Sequence, residues 1–265
     1  MNASDSSETL TALVKVGGAA LDQLELLNEL ARDITRIEDR SLVLVHGGSL
    51  DIKSELDLMN KPFEFVDGLR VTDAETLRVV EMVLSGTVNG RIVRALTNNG
   101  VKAIGLTGGD TGLIRAEPMT VDGKSLGFVG RVTDINPAIL KMLFENEITP
   151  VVSPVSIGSD GRAYNVNADQ VAAALASELK SGDLIFYSDV AGVNIDGRRA
   201  QILSPAEVEK HIADGQISGG MIPKVRSAVE ALRQGVGRVH LTMWDGPGSL
   251  IAEIQGQSAG TVISL

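Results

Sequence analysis

Six short apolar runs punctuate the chain: Leu13–Val16, Leu42–Val45, Val101–Leu106, Thr149–Val152, Leu184–Tyr187 and Val239–Thr242. Each is rich in Val, Ile and Leu, the pattern of strands buried on both faces. Helical spacing fills much of the intervening sequence. Leu21–Ile37 carries Leu24, Leu27, Ala31 and Ile34 on one stripe, Asp73–Ser85 carries Leu77, Val80 and Leu84, and Ala168–Lys180 is rich in alanine and leucine. Strand–helix–strand order with short connections predicts an α/β fold, a three-layer αβα sandwich with a mainly parallel open sheet. Pro118–Val132 breaks the alternation: Asp122-Gly123 between Val- and Thr-containing flanks predicts a hairpin flap. After a polar segment over residues 1–11, two lobes are expected within 12–265, about 12–160 and 161–265, with a seam at the Pro154–Gly161 loop.

Composition narrows the chemistry. The 265 residues contain no cysteine, which excludes disulfides, thiolate zinc sites and the usual iron–sulfur ligation. A formal charge of −10, with 24 Lys+Arg scattered among 34 Asp+Glu, argues against a protein built to neutralise phosphate backbones. No apolar run reaches the roughly 18 residues of a membrane span, and residues 1–11 lack the features of a secretion signal, so a cytoplasmic location is expected. Glycine is abundant, 29 residues, and its placement matters.

Four strands end in glycine-bearing turns: Gly17-Gly18, Gly47-Gly48, Gly108-Gly109 and Ser188-Asp189-Val190-Ala191-Gly192. In a parallel sheet, ligands bind beyond the carboxyl ends of the strands. The first two turns are expected to run directly into helices, which joins glycine amides to a helix N-terminus in a natural anion site. Neither turn fits the usual P-loop or dinucleotide pattern. Together with Gly192, Gly219 and Gly220, these glycines are expected to lie beside a phosphate path.

Lys15 is a cation inside an apolar strand, read either as a ligand contact or as a lysine whose stem packs while its ammonium reaches water. Lys224 follows Pro223 at a helix start, where an ordinary surface lysine is the competing reading. Asn165, Asn167 and Asp169 share a face if their segment is extended, whereas Asn167 with Gln170 also resembles a capping box. Two lysines, an organising Asp and clustered amides supply the positioning and charge neutralisation that phosphoryl transfer needs.

At these residues the sequence resembles the amino acid kinase family. The matching motifs are Lys15-Val16-Gly17-Gly18, His46-Gly47-Gly48, Gly68-Leu69-Arg70-Val71-Thr72, Gly127-Phe128-Val129-Gly130, Asn165-Val166-Asn167-Ala168-Asp169, Ser188-Asp189-Val190-Ala191-Gly192-Val193 and Gly220-Met221-Ile222-Pro223-Lys224, all in family order. The resemblance implies ATP-dependent phosphorylation of a carboxylate, most like the members acting on the side chain of N-acetyl-L-glutamate in arginine biosynthesis. It gives Lys15 and Lys224 the transferring phosphoryl group and Asp169 the task of holding both lysines. Gly17, Gly18, Gly48 and Ser49 would offer amides to phosphate or carboxylate oxygens, while Arg70 and Asn165 would hold the α-carboxylate end of the amino acid. Asp189, Val190, Ala191, Gly192, Val193 and Asn194, with Gln216, Ile217 and Ser218, would bind ATP. Mg2+ is expected with ATP, its ligands coming mostly from phosphates and water because no Asp cluster is evident.

Two positions depart from the family pattern: Ser49 where a third glycine is usual, and Asp67 where Asn is usual. Asp67 would oppose an acidic substrate or pair with Arg70 if it points inward, and would be surface chemistry if outward. Ser49 also occurs in the sister kinases of carrier-protein-linked aminoadipate or glutamate, which are the second reading; a non-catalytic amino-acid sensor is the third. The resemblance further implies a homodimer insensitive to arginine. The Asp73–Ser85 helix is its expected contact, with plain core packing as the other account of its stripe.

Overall fold

The computed structural model describes residues 10–18, 21 and 23–265. The expected polar segment lies outside this set up to residue 9, as do residues 19, 20 and 22 between Gly17-Gly18 and the first helix. The chain opens with β1 (Leu10–Val16), α1 (Leu24–Ile34), β2 (Arg40–His46), α2 (Ser49–Leu58), β3 (Phe65–Val66) and β4 (Leu69–Arg70). A long helical segment follows without a break: α3 (Ala74–Val80), a π-helical stretch over Glu81–Val88, and α4 (Asn89–Asn98). Then come β5 (Ala103–Thr107), β6 (Ile114–Val121), β7 (Lys124–Ile135), α5 (Ala138–Glu145), β8 (Thr149–Ser153), β9 (Val155–Gly158), β10 (Ala163–Val166) and α6 (Ala168–Glu178). The last part holds β11 (Asp183–Tyr187), β12 (Asn194–Ile195), β13 (Arg198–Arg199), β14 (Ile202–Leu203), α7 (Pro205–Ala213), α8 (Met221–Arg233), β15 (Arg238–Thr242), α9 (Ser249–Ile254) and β16 (Thr261–Ser264).

The six apolar runs become the six parallel strands of one sheet, ordered β15-β11-β1-β2-β8-β5. Beyond β15 lie β16, which is antiparallel to it, and β14 at the edge. Successive residues of β1 point to opposite layers, as the period of two requires. Leu13 joins Val43, Val45 and Val152 in a core covered by Val171 and Leu175 of α6 and Val225 and Val229 of α8. Ala12, Val14 and Val16 join Leu42, Leu44 and Val151 in a second core, under Leu27 and Leu30 of α1 and Leu84, Val88 and Ile92 of the long helical segment. The two cores are therefore the two faces of the sheet, which makes the predicted three-layer sandwich.

The flap is larger than its sequence signal. Asp122 and Gly123, both at positive φ (48° and 75°), turn the chain between β6 and β7 as expected for a two-residue hairpin loop. These strands close a small ring with β9 and β10. Pro154–Gly161 is not simply a loop: the segment holds β9, and Pro154 alone separates it from β8 of the large sheet.

The stripe on the Asp73–Ser85 helix is core. Leu77, Val80 and Leu84 are buried within this chain, which favours plain core packing as the account of the stripe. The helix also does not stop at Ser85: Gly86, Asn89 and Gly90 read as breakers, yet packing of Val88, Ile92 and Leu96 carries it on. Gly108 belongs to the ring instead of a phosphate path, its N–H donating to Val155 O and its O accepting from Ile114 N–H.

Candidate active site

The carboxyl ends of β1, β2, β8 and β11 point one way, and the candidate residues gather there. Lys15, next to last in β1, sits between Val45 and Phe186 in register, so its stem is held by the sheet. Its ammonium lies 2.8 Å from Asp169 Oδ1, and Lys224 Nζ reaches Asp169 Oδ2 at 3.2 Å. Asp169 is in the first turn of α6. The side chain of Asn167 caps that helix, accepting from the Asp169 and Gln170 N–H groups at 2.8 and 3.3 Å. Burial pushes the Asp169 carboxyl up, but the two ammonium groups together outweigh it and hold the pKa below the usual carboxylate range. Two cations bridged by one carboxylate leave a charge of +1 in the cleft.

Both glycine turns border this bridge. Gly18 adopts φ +60°, a conformation that favours glycine, and a Cβ there would also displace the Asp189 carboxylate. Gly48 is the N-cap of α2 at φ +154°, where a Cβ would strike Leu84. Ser49 is already the first helical residue, a place with no need of glycine. Its Oγ and its carbonyl both accept from Arg70 Nη2, at 3.2 and 3.1 Å. The departure at position 49 thus ties Arg70 to the helix start.

Behind the second turn His46 is fully buried. Asn89 Nδ2 donates to His46 Nε2 at 3.1 Å, so the ring proton is on Nδ1, which donates to Gly47 O at 2.8 Å. Burial lowers the His46 pKa to about 4, the carbonyl of Gly47 and the charge of Asp51 opposing the shift only in part. Because the folded pKa is below the unfolded value, the unfolded chain binds the extra proton and stability falls as pH drops from about 6.5 towards 4. His240 lies between Asp183 and Glu253, whose pull outweighs its burial and raises its pKa; its contribution is complete below 6.5 and nearly constant in that window. Urea unfolding should therefore show a loss of about 2 kcal/mol between pH 6 and pH 4.5, and an unchanged stability would contradict a neutral, buried His46.

One cleft is lined by Lys15, Gly48, Ser49, Arg70, Asn165 and Asp169 together. Arg70 forms its cationic end. Arg70 is only 6% exposed, and its guanidinium lies against the rings of both Phe63 and Phe65, 4.5 and 4.6 Å from their centroids. Its Nη1 is buried without a hydrogen-bond partner, and a buried unpaired donor on a cation suits an anionic ligand. Asn165 Nδ2 donates to Thr72 Oγ1 (3.1 Å), which in turn donates to Arg70 O (2.7 Å). Asp67 is exposed and adopts φ +49°, followed by Gly68 at φ +77° in the turn between β3 and β4. It does not pair with Arg70 and points to solvent: Asp replaces Asn in a left-handed turn position that both tolerate.

A second pocket is lined by Val190, Ala191, Gly192, Val193, Asn194, Gln216, Ile217 and Ser218, with Arg199 and Met221 in addition. Asp189 stands apart from it, against Gly18. The Gln216 amide is fixed at both ends, accepting from His211 Nδ1 at 2.6 Å and donating to Asp196 Oδ1 at 2.5 Å. Phe63, Phe65, Asn89 and Arg199 escaped the sequence reading. Phe63-x-Phe65 beside the Gly68 turn was the one local signal available, since alternate residues of a strand share a face.

A parallel sheet with a doubly lysine-bridged carboxylate and glycine turns at its carboxyl end defines a phosphotransferase site. The chain belongs to the amino acid kinase family, which residues 11–242 match. It is an ATP-dependent kinase. It is 48% identical over 230 residues to the acetylglutamate kinase of Chloroflexus aggregans, covering 86% of this chain and 90% of that one. The acetylglutamate kinase of Syntrophomonas wolfei is 40% identical over 258 residues, covering 95% and 90%. Among solved structures, the N-acetylglutamate synthase of Neisseria gonorrhoeae complexed with coenzyme A and N-acetyl-glutamate superposes with a TM-score of 0.86 at 26% identity, covering 97% of this chain and 60% of that one. The carbamate kinase of Giardia lamblia bound to AMP-PNP shares the fold at a TM-score of 0.70 and 18% identity, covering 96% and 98%. Among the described residues, no helix is long and apolar enough to cross a membrane.

Proposed function

We propose that this protein transfers the γ-phosphoryl group of ATP to the side-chain carboxylate of N-acetyl-L-glutamate, giving N-acetyl-L-glutamyl 5-phosphate and ADP, a step of arginine biosynthesis. The Lys15–Asp169–Lys224 bridge beside the Arg70 cleft carries the reading, and the names of the relatives support the choice of amino acid.

A carboxylate oxygen attacks the γ-phosphorus, the bond to the β,γ-bridging oxygen breaks, and ADP leaves. The nucleophile is already ionised, so no general base is required and Asp169 remains bound to its two lysines. Lys15 and Lys224 neutralise charge on the phosphoryl oxygens, and the amides of Gly17, Gly18, Gly48 and Ser49 add fixed donors. Arg70, with Asn165, holds the α-carboxylate at the far end of the cleft. Ile52, Leu69 and Val129 in the same lining offer an apolar seat for the acetyl methyl group. The pocket over residues 190–194 and 216–218 takes the nucleotide.

Among the described residues no group of three His, Asp or Glu side chains could hold an ion, so Mg2+ would be carried by the phosphates and water. A homodimer and a cytoplasmic setting belong to the same proposal. Trapping with hydroxylamine tests it: a hydroxamate should accumulate only when ATP and N-acetyl-L-glutamate are both present. ADP formation without hydroxamate would overturn the acyl phosphate product.

A further inference from the structure

We propose that Asn89 and Arg91, in the first turn of α4, are positioning residues for phosphoryl transfer that hold the two glycine turns in fixed relation. The proposal rests on the kinase reading above and concerns residues that touch neither proposed substrate pocket through the site groups already described. Separated by two positions on a helix, their side chains diverge. Each reaches a different part of the phosphate-facing backbone.

Asn89 acts through His46. It is 5% exposed, and its Nδ2 is held by Val151 O at 2.9 Å as well as by His46 Nε2 at 3.1 Å. The imidazole then donates from Nδ1 to Gly47 O. In a trans peptide the C=O and the following N–H point in opposite directions. Fixing Gly47 O against the buried ring therefore turns the Gly48 N–H away from it, to the side of the cleft that Gly48 lines. Gly47 N–H donates to Val16 O at 3.1 Å, which joins this turn to the residue preceding Gly17.

Arg91 reaches both turns through one intermediate residue each, Leu21 and Asp51. Its Nη1 donates to Leu21 O at 3.0 Å, and Leu21 N–H donates to Gly18 O at 3.1 Å, closing the first turn. Its Nη2 donates to Asp51 Oδ1 at 2.6 Å, in the first turn of α2, the helix that Gly48 caps. The π-helical stretch just before α4 packs Leu84 and Val88 against Gly48, where a Cβ would come within 2.6 and 3.2 Å of them. Such stretches are rare and recur at functional sites. One helical turn is thus the common reference for the amides proposed to hold the reacting oxygens, and misplacing such groups by about 1 Å can lower a rate by about 10²-fold.

The test compares Asn89→Leu, Arg91→Met and the conservative Arg91→Lys with the wild-type enzyme. Each variant is scored by thermal melting, active-site titration, kcat, KM for both substrates, and affinity for MgADP with and without aluminium fluoride as a mimic of the transferring phosphoryl group. Asn89→Leu and Arg91→Met should lower kcat per active site by about 10-fold or more and weaken the aluminium fluoride complex in parallel, with ADP affinity and KM for ATP within about 3-fold of wild type. Arg91→Lys keeps a cation for Asp51 but lacks the second donor for Leu21 O, so its loss should be intermediate. A purely structural role would lower the melting temperature and the active fraction while leaving kcat per active site and the aluminium fluoride affinity unchanged, and that result overturns the proposal. If Asn89→Leu does not fold, the two Arg91 variants, at a partly exposed position, decide it. A wild-type enzyme that fails to turn over N-acetyl-L-glutamate counts against the function reading, whereas an active wild type with unaltered variants counts against the positioning role alone.

Discussion

Replacing Lys15 or Lys224 with alanine is expected to lower kcat by about 10²-fold or more, with KM for N-acetyl-L-glutamate changed only a few-fold. In the proposed reaction the amino acid is held by Arg70 and Asn165, other residues of the same cleft, so either lysine can be lost without releasing it. What disappears is a cation aimed at charge that moves during transfer, and an interaction made mainly in the transition state appears in kcat. Lys15→Ala should have the larger effect, because Lys15 is the more buried of the two (side-chain exposure 12% against 29%) and its charge is less screened by water. Steady-state kinetics with a coupled ADP assay would check both, and wild-type-like turnover in either variant would remove that lysine from the mechanism.

Asp169→Asn should be comparably damaging although Asp169 touches no substrate in this account. The amide is nearly isosteric and leaves the cap on α6 intact, since that cap is supplied by Asn167. It removes the negative charge that lets two ammonium groups converge, which are 2.8 and 3.2 Å from its oxygens. Left without it, the lysines repel each other and lose their fixed positions, and kcat should fall by about 10²-fold. A double-mutant cycle separates this from a direct catalytic role. In the Asp169→Asn background, Lys15→Ala should cost much less than it does in the wild type, because the lysine is already out of place. Full additivity of the two losses would contradict the bridge.

Much of this arrangement was legible in the sequence because it is carried by local patterns. Five of the six parallel strands are largely buried on both faces, and continuous apolar runs such as Leu42–Val45 report that directly, whereas β5 lies at the sheet edge with Ile104 exposed. The Asp122-Gly123 turn and the Asn167 cap are set by residues within three positions of each other, and both formed, the cap by the Asn167 side chain alone and without the Gln170 half of a capping box. Elements without such local marks were missed. β14 is two residues long, and β9 follows Pro154 in a stretch that reads as a loop. The helix beyond Ser85 contains residues with poor helical propensity, and only burial of Val88, Ile92 and Leu96 against the sheet sustains it. The site shows the same division. Lys15, Asp169 and Lys224 stood out by their positions at strand and helix ends, but no local signal marks Arg91 as the partner of Leu21 O, 70 residues earlier, or Asn89 as the partner of His46. Asp67 illustrates the reverse case: charge alone raised a concern that the backbone conformation of a turn removes.

Phosphorylation of N-acetyl-L-glutamate in the lysine-bridged cleft can be read from its acceptor specificity. ADP release by the purified protein with Mg2+ and ATP should be followed with N-acetyl-L-glutamate, free L-glutamate, L-aspartate and a carrier-protein-linked aminoadipate as acceptors. Turnover of N-acetyl-L-glutamate is expected with kcat/KM at least about 10²-fold above that of any other acceptor, because the proposed site is complete only when both the apolar seat for the acetyl group and the guanidinium for the α-carboxylate are filled. Preference for the carrier-linked acceptor, or no turnover with any of the four, would contradict it.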